Sequence, residues 1–142
     1  HNLGVAREIA DRIYIMYAGE IVEVGRTEEI FDDPLHPYTR GLLDSIPKLT
    51  GFKGTGIDGQ IPDYTDPPSG CRFHPRCPAA IEGTCDAGSV EDYRVGGDRT
   101  VACHLYEDGM SLDEATAIAS DEATYRDDDN QQPAEVEAGG NT

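Results

Sequence analysis

Tryptophan is absent from the 142 residues, phenylalanine occurs three times and lysine twice, at Lys48 and Lys53. No apolar run reaches the roughly 18 residues of a membrane-spanning helix, so no direct membrane insertion is expected. The shortage of lysine accompanies a large acidic excess, 28 Asp and Glu against 11 Lys and Arg, for a formal net charge of −17. Such a surface repels nucleic-acid phosphates and anionic headgroups, so neither nucleic acid nor an electrostatically held lipid surface is an expected partner. Hydrophobic residues make up 37% and aromatics 7%, little material for a packed core. A phosphate loop is missing too. Gly51, Gly54, Gly56 and Gly59 run into Pro62, Pro67 and Pro68 with no Gly-Lys-Ser/Thr behind them. No secretory-leader pattern opens the chain, and a first residue of His in place of Met leads us to expect a fragment of a longer protein.

The charge is uneven. Residues 1–50 carry net −4, residues 51–105 net −3 and residues 106–142 net −10. Many Asp, few Lys and an acidic balance in every part fit a protein kept soluble in strong salt, so a halophilic source is expected.

Residues 1–50 read as an α+β fragment, the end of a larger domain. Val5, Ile9 and Ala10 lie on one side of a short amphipathic helix over Leu3–Asp11. Ile13–Tyr17 is an uncharged β-rich run, suited to a strand buried on both faces. Ala18-Gly19 turns the chain into a second strand, Glu20–Gly25, to complete a hairpin. Thr27 is placed to cap a helix with Glu28 and Glu29 in its first turn, ending before Asp33-Pro34. Pro37 opens another helix through Tyr38, Leu42 and Leu43 to Ser45. About 50 residues of this kind bury too little to fold alone, so the apolar strand is expected to need a sheet from elsewhere in a longer protein. Residues 51–106 are rich in Gly and Pro and hold all four cysteines. Residues 107–142 read as an acidic, largely disordered tail, with one capping-box helix at Met110–Ala119.

Cys71, Cys77, Cys85 and Cys103 have the spacing C-x5-C-x7-C-x17-C and fall within 33 residues, and the 109 residues outside that span have none. Chance clustering is disfavoured, and disulfides suit secreted proteins. A zinc site more often shows a C-x2–4-C pair. A four-thiolate iron–sulfur cluster tolerates irregular spacing. Spacing alone favours a metal centre over disulfides and leaves cluster and zinc nearly even, with His74 and His104 as further zinc-ligand candidates. Arg72 and Arg76 are placed to offset thiolate charge. With only scattered apolar residues (Phe73, Ile81, Val90, Tyr93, Val95, Val101, Leu105), segment 66–106 is expected to need a filled centre in order to fold.

Three strings together resemble one family. His1-Asn2-Leu3-Gly4-Val5 through Met16-Tyr17-Ala18-Gly19-Glu20-Ile21-Val22-Glu23 is similar to the histidine switch and following hairpin of ABC transporter ATPases. His36-Pro37-Tyr38-Thr39-Arg40-Gly41-Leu42-Leu43-Asp44-Ser45-Ile46-Pro47 resembles the signature that follows the catalytic core in oligopeptide/dipeptide-type ATP-binding subunits. Pro67-Pro68-Ser69-Gly70-Cys71-Arg72-Phe73-His74-Pro75-Arg76-Cys77-Pro78-Ala79-Ala80, with Cys85 and Cys103, is similar to the C-terminal extension of that family. The resemblance implies the C-terminal end of an ABC ATPase α/β core over residues 1–50, a cysteine module over 51–106 and the tail beyond. It implies a [4Fe-4S] cluster on Cys71, Cys77, Cys85 and Cys103, with zinc as the alternative. For the parent protein it implies ATP and Mg²⁺, a second ATP-binding subunit and two membrane permeases that import peptides or a solute such as nickel. The parent would lie in the cytoplasm, peripheral on the inner face of the membrane. His1 matches the switch histidine that reaches the γ-phosphate, although Asn2 stands where members often carry Asp. Without the phosphate loop, ABC signature and catalytic carboxylate, these residues alone are expected to be inactive. A stand-alone zinc or iron–sulfur module with no ATPase role is the competing expectation.

Overall fold

The computed structural model describes residues 2–46 and 56–107, with Glu114 and Ala117 beyond them. Helix α1 (Leu3–Ile9) starts where the Asn2 side chain accepts the Val5 N–H at 3.2 Å. Strands β1 (Arg12–Tyr17) and β2 (Glu20–Arg26) form the expected antiparallel hairpin, with Tyr17 opposite Glu20. Ala18 and Gly19 both have positive φ, +50° and +84°, the tight-turn geometry that follows strand twist. Glycine adopts it freely, whereas Ala18 is strained by about 1 kcal/mol. The Arg72 guanidinium donates to the Ala18 carbonyl at 2.6 Å and pins that turn.

Helix α2 (Thr27–Asp32) is capped one residue earlier than expected, at Arg26, whose N–H meets the Glu29 carboxylate at 2.8 Å. The Thr27 hydroxyl donates instead to the Ala10 carbonyl and ties the end of α1 to the start of α2. Helix α3 (Pro37–Asp44) has Pro37 in its first turn and His36 as its cap, with His36 Nδ1 accepting the Tyr38 N–H at 3.0 Å. Two short strands follow, β3 (Tyr93–Arg94) and β4 (Thr100–Val101). The four strands make one antiparallel sheet in the order β1-β2-β4-β3, with Glu23 opposite Val101. The result is a small α+β unit. The hairpin is extended from within the chain on its β2 side, where β2 pairs with β4 from beyond residue 90, while the apolar strand β1 gains no further partner among the described residues.

Strand β1 alternates, contrary to the expectation of burial on both faces. Ile15 and Tyr17 are buried, while Tyr14 and Met16 are 61% and 58% exposed. Among the described residues β1 is the sheet edge and no layer covers its outer face. Inside, one cluster joins Ile15, Tyr17, Val22, Ile30 and Phe73, with Tyr38 and Leu42 of α3 packed on it. A second joins Leu35, Val95, Val101, Cys103 and Tyr106. Of the expected tail helix, Glu114 and Ala117 are described and both are helical; its other residues lie outside the described ones.

Candidate functional site

The cysteine segment folds back on itself through its backbone. Cys71 O accepts the His74 N–H at 3.0 Å and the His74 ring Nδ1 lies 2.8 Å from that same oxygen. A 3-10 turn over His74–Arg76 then carries the chain to Cys77, whose N–H donates to His74 O at 3.2 Å. After another turn, Cys85 returns to Cys71: the Cys71 N–H donates to Cys85 O at 2.8 Å. Phe73, 1% exposed, plugs this loop into the hairpin core, edge-on to Tyr17 with ring centroids 5.1 Å apart.

The sulfur environments differ. The Ile81 N–H donates to Cys85 Sγ at 3.2 Å. Burial pushes the Cys71 thiol up, opposed by the Phe73 N–H; the neighbouring Cys85 raises it further, and the His74 N–H lowers it. Backbone N–H groups aimed at sulfur favour the thiolate, the form a metal binds. Cys77 packs with Cys71 at the margin of the hairpin core, whereas Cys103 lies in the second cluster, beyond β4. Among the described residues, none of the four is in a disulfide. Cys71 and Cys85 are thus brought together through their backbones. Among the described residues, no group of three or more His, Cys, Asp or Glu side chains is arranged around a point that could hold one metal ion. In kind, four thiols with an N–H group at one of them suit a soft metal centre.

Between the thiol loop and the hairpin lies a cleft of about 220 Å³, lined by Tyr17, Glu20, Val22, Cys71, Phe73 and Ala102 among others. Arg72 and Arg76, expected beside the thiols, hold the loop to its surroundings. Arg72 reaches Ala18 O and, at 3.2 Å, the Glu20 carboxylate. Arg76 donates to the Tyr17 hydroxyl at 3.2 Å and to the carbonyls of Ile57 and Asp58 at 3.1 and 3.0 Å. His104 Nδ1 sits 2.9 Å from the Glu107 carboxylate, and its buried Nε2 has no hydrogen-bond partner among the described residues. His1 lies outside the described residues.

Two features went unseen in the sequence. Glu23 of β2 and Arg99, just before β4, form a buried ion pair at 3.1 Å. His36 is fully enclosed, and its imidazole is held down to about 3, chiefly by burial and also by Arg40, against the Ala102 backbone. The His-Pro-Tyr string marked His36 as special without saying that it is interior.

Comparison with known proteins bears on the same residues. Residues 22–85 match the family model for the oligopeptide/dipeptide transporter, C-terminal region. The chain is 46% identical over 114 residues to the dipeptide transport ATP-binding protein DppD of Caldanaerobacter subterraneus subsp. tengcongensis, covering 79% of this chain and 35% of that protein. It is 45% identical over 111 residues to the oligopeptide transport ATP-binding protein AppD of Bacillus subtilis, covering 76% and 33%. To a putative peptide import ATP-binding protein of Brucella abortus strain 2308 it is 46% identical over 107 residues, covering 75% and 31%. The chain spans about a third of the length of these curated relatives.

Proposed function

Since the chain corresponds to the C-terminal region of an ATP-binding subunit of the oligopeptide/dipeptide ABC transporter type, we propose that the whole protein hydrolyses ATP to drive import of peptides through two membrane permeases. The match over residues 22–85, from the hairpin to the third cysteine, carries this reading. His1 is the chain's contribution to the reaction. As the switch histidine it would donate to the γ-phosphate, where negative charge builds as the phosphoryl group transfers. A second ATP-binding subunit completes the pair of ATP sites, and the assembly sits on the cytoplasmic face of the membrane. No described helix is long and apolar enough to cross one.

The thiol centre is the second part of the proposal. Cys71, Cys77, Cys85 and Cys103 hold a [4Fe-4S] cluster, with one zinc ion as the alternative. The Ile81 N–H at Cys85 Sγ supports a thiolate ligand there. Of the two, a cluster would tolerate the wider and less regular spacing of these four cysteines, whereas zinc more often takes a close pair. A filled centre supplies metal–thiolate bonds whose binding energy becomes folding energy for the Gly- and Pro-rich segment.

Anaerobic reconstitution of the full chain tests the centre. Iron and acid-labile sulfide in a four-to-four ratio support the cluster, and one zinc per chain refutes it. Hydrolysis of ATP by the whole protein, lost in His1→Ala, tests the enzymatic part. Turnover by the 142-residue chain alone, abolished by His1→Ala, would contradict the expectation that these residues are inactive without a phosphate loop.

A further inference from the structure

The backbone of residues 69–71 lies flat against that of residues 85–87. The Cys71 N–H donates to Cys85 O at 2.8 Å, and the Ser69 hydroxyl donates to Asp86 O at 2.8 Å. Gly70 stands between these two rungs at φ +71°. A methyl group there would collide with the Cys85 carbonyl oxygen and lie 2.9 Å from the Asp86 carbonyl carbon and 3.0 Å from the Ala87 nitrogen. All three are backbone atoms, which cannot swing aside as a side-chain end can. Gly88 offers a contrast: its φ is +70°, yet a methyl group there meets nothing within 4 Å. The two glycines share one backbone conformation, and Gly70 alone of the two also permits a close approach.

We propose that Gly70 is the positioning residue of the thiol centre: by letting residues 69–71 press on residues 85–87, it fixes Cys71 and Cys85 as a preassembled pair onto which Cys77 and Cys103 close. This rests on the thiol-centre reading above. The pair is the part of the centre that the fold builds before any metal arrives. The sulfur of Cys85 is already turned to the Ile81 N–H, so less ordering remains when the centre fills.

Cobalt(II) added to the reduced, anaerobic full chain is the probe, because sulfur-to-cobalt charge-transfer absorption reports bound thiolates. Gly70→Ala is expected to weaken cobalt binding by about tenfold or more and to lower the charge-transfer intensity per cobalt. Gly88→Ala bears the same positive-φ strain and is expected to bind within about twofold of the parent chain. Ser69→Ala removes one rung without a clash. It is expected to show a smaller loss in the same direction, and it carries the test if Gly70→Ala does not fold. Equal affinity and intensity in Gly70→Ala and Gly88→Ala overturn the proposal, as does an unchanged Ser69→Ala where Gly70→Ala cannot be made.

A second arm needs no metal centre. In Cys77→Ser/Cys103→Ser, phenylarsine oxide, which bridges two thiols, is expected to bind one per chain through Cys71 and Cys85 and to lose that binding on Gly70→Ala. If the parent binds no cobalt through sulfur and takes up no iron and sulfide, the centre reading fails; Gly70-dependent arsenical capture then still upholds the paired thiols. No capture with Gly70 present, or capture indifferent to Gly70→Ala, overturns the positioning role.

Discussion

A carboxylate removed from water persists when its lone pairs are filled, and Glu23 has three donors. The N–H groups of Leu35 and His36 reach it at 3.0 and 2.9 Å, and the Arg99 guanidinium at 3.1 Å. Arg99 in turn also donates to the Glu29 and Asp33 carbonyls at the end of α2. One pair thereby joins β2, the turn before α3 and the loop before β4. Removing Arg99 leaves a buried charge short of its partner, which costs about 3–5 kcal/mol. Arg99→Met should therefore lower the urea midpoint sharply. Glu23→Leu/Arg99→Met should recover part of the loss, since the Leu35 and His36 N–H groups stay unfilled in the double variant. A midpoint unchanged in Arg99→Met would show the pair to be dispensable. His36 gives a pH prediction. Its imidazole is held to about 3 in the fold, against 6.5 ordinarily. Between those values the unfolded chain takes up a proton that the fold refuses, so stability falls as pH falls, by up to about 1.4 kcal/mol per unit. His36→Asn keeps an acceptor for the Tyr38 N–H and removes this titration. The drop in urea midpoint from pH 7.5 to pH 5 should be smaller in the variant, and equal drops would contradict the assignment.

At the scale of elements, local chemistry predicts well and pairing across distance does not. The Ala18-Gly19 turn and the proline-opened α3 were both legible, because each depends on residues a few positions apart. The second partner of β2 was not. Thr100 and Val101 make a two-residue strand, too short for alternation to register, set in a segment whose glycines and prolines read as loop. Tyr106, fully buried with its hydroxyl on Leu35 O at 2.6 Å, stood at the edge of an acidic tail and gave no periodic signal. The site was legible as far as its cysteines, whose clustering is a property of spacing. Gly70 and the N–H groups at sulfur were not, because they exist only once the backbone has turned back. The shared sheet carries its own prediction. Without residues beyond 50, the Val22 carbonyl loses the Ala102 N–H, 2.8 Å away, and β2 becomes an open edge. A 1–50 fragment should show no cooperative unfolding by circular dichroism, and a cooperative transition would mean that the hairpin unit stands alone.

The whole molecule is held together against its own charge. Of its 28 acids and 11 bases, ten acids and one base follow Glu107, so the chain up to that point still carries −8 of the total −17. Like charges at this density destabilise a compact state. Added salt shortens the reach of that repulsion, from about 10 Å at 0.1 M to about 3 Å at 1 M. The same salt weakens the exposed pairs, Arg12–Asp98 at 3.9 Å and Arg72–Glu20 at 3.2 Å, but such pairs contribute about 0–1 kcal/mol each. The enclosed Glu23–Arg99 pair is screened much less. Relief of repulsion should therefore win, and the urea midpoint should rise between 0.1 and 1 M sodium chloride. A chain ending at Glu107, with half the net charge, should show a smaller rise. That comparison separates charge screening from a general salting effect on apolar burial, which the tail would leave unchanged. A midpoint that falls with salt, or an equal rise in both chains, would mean that net charge does not govern the stability of this fold.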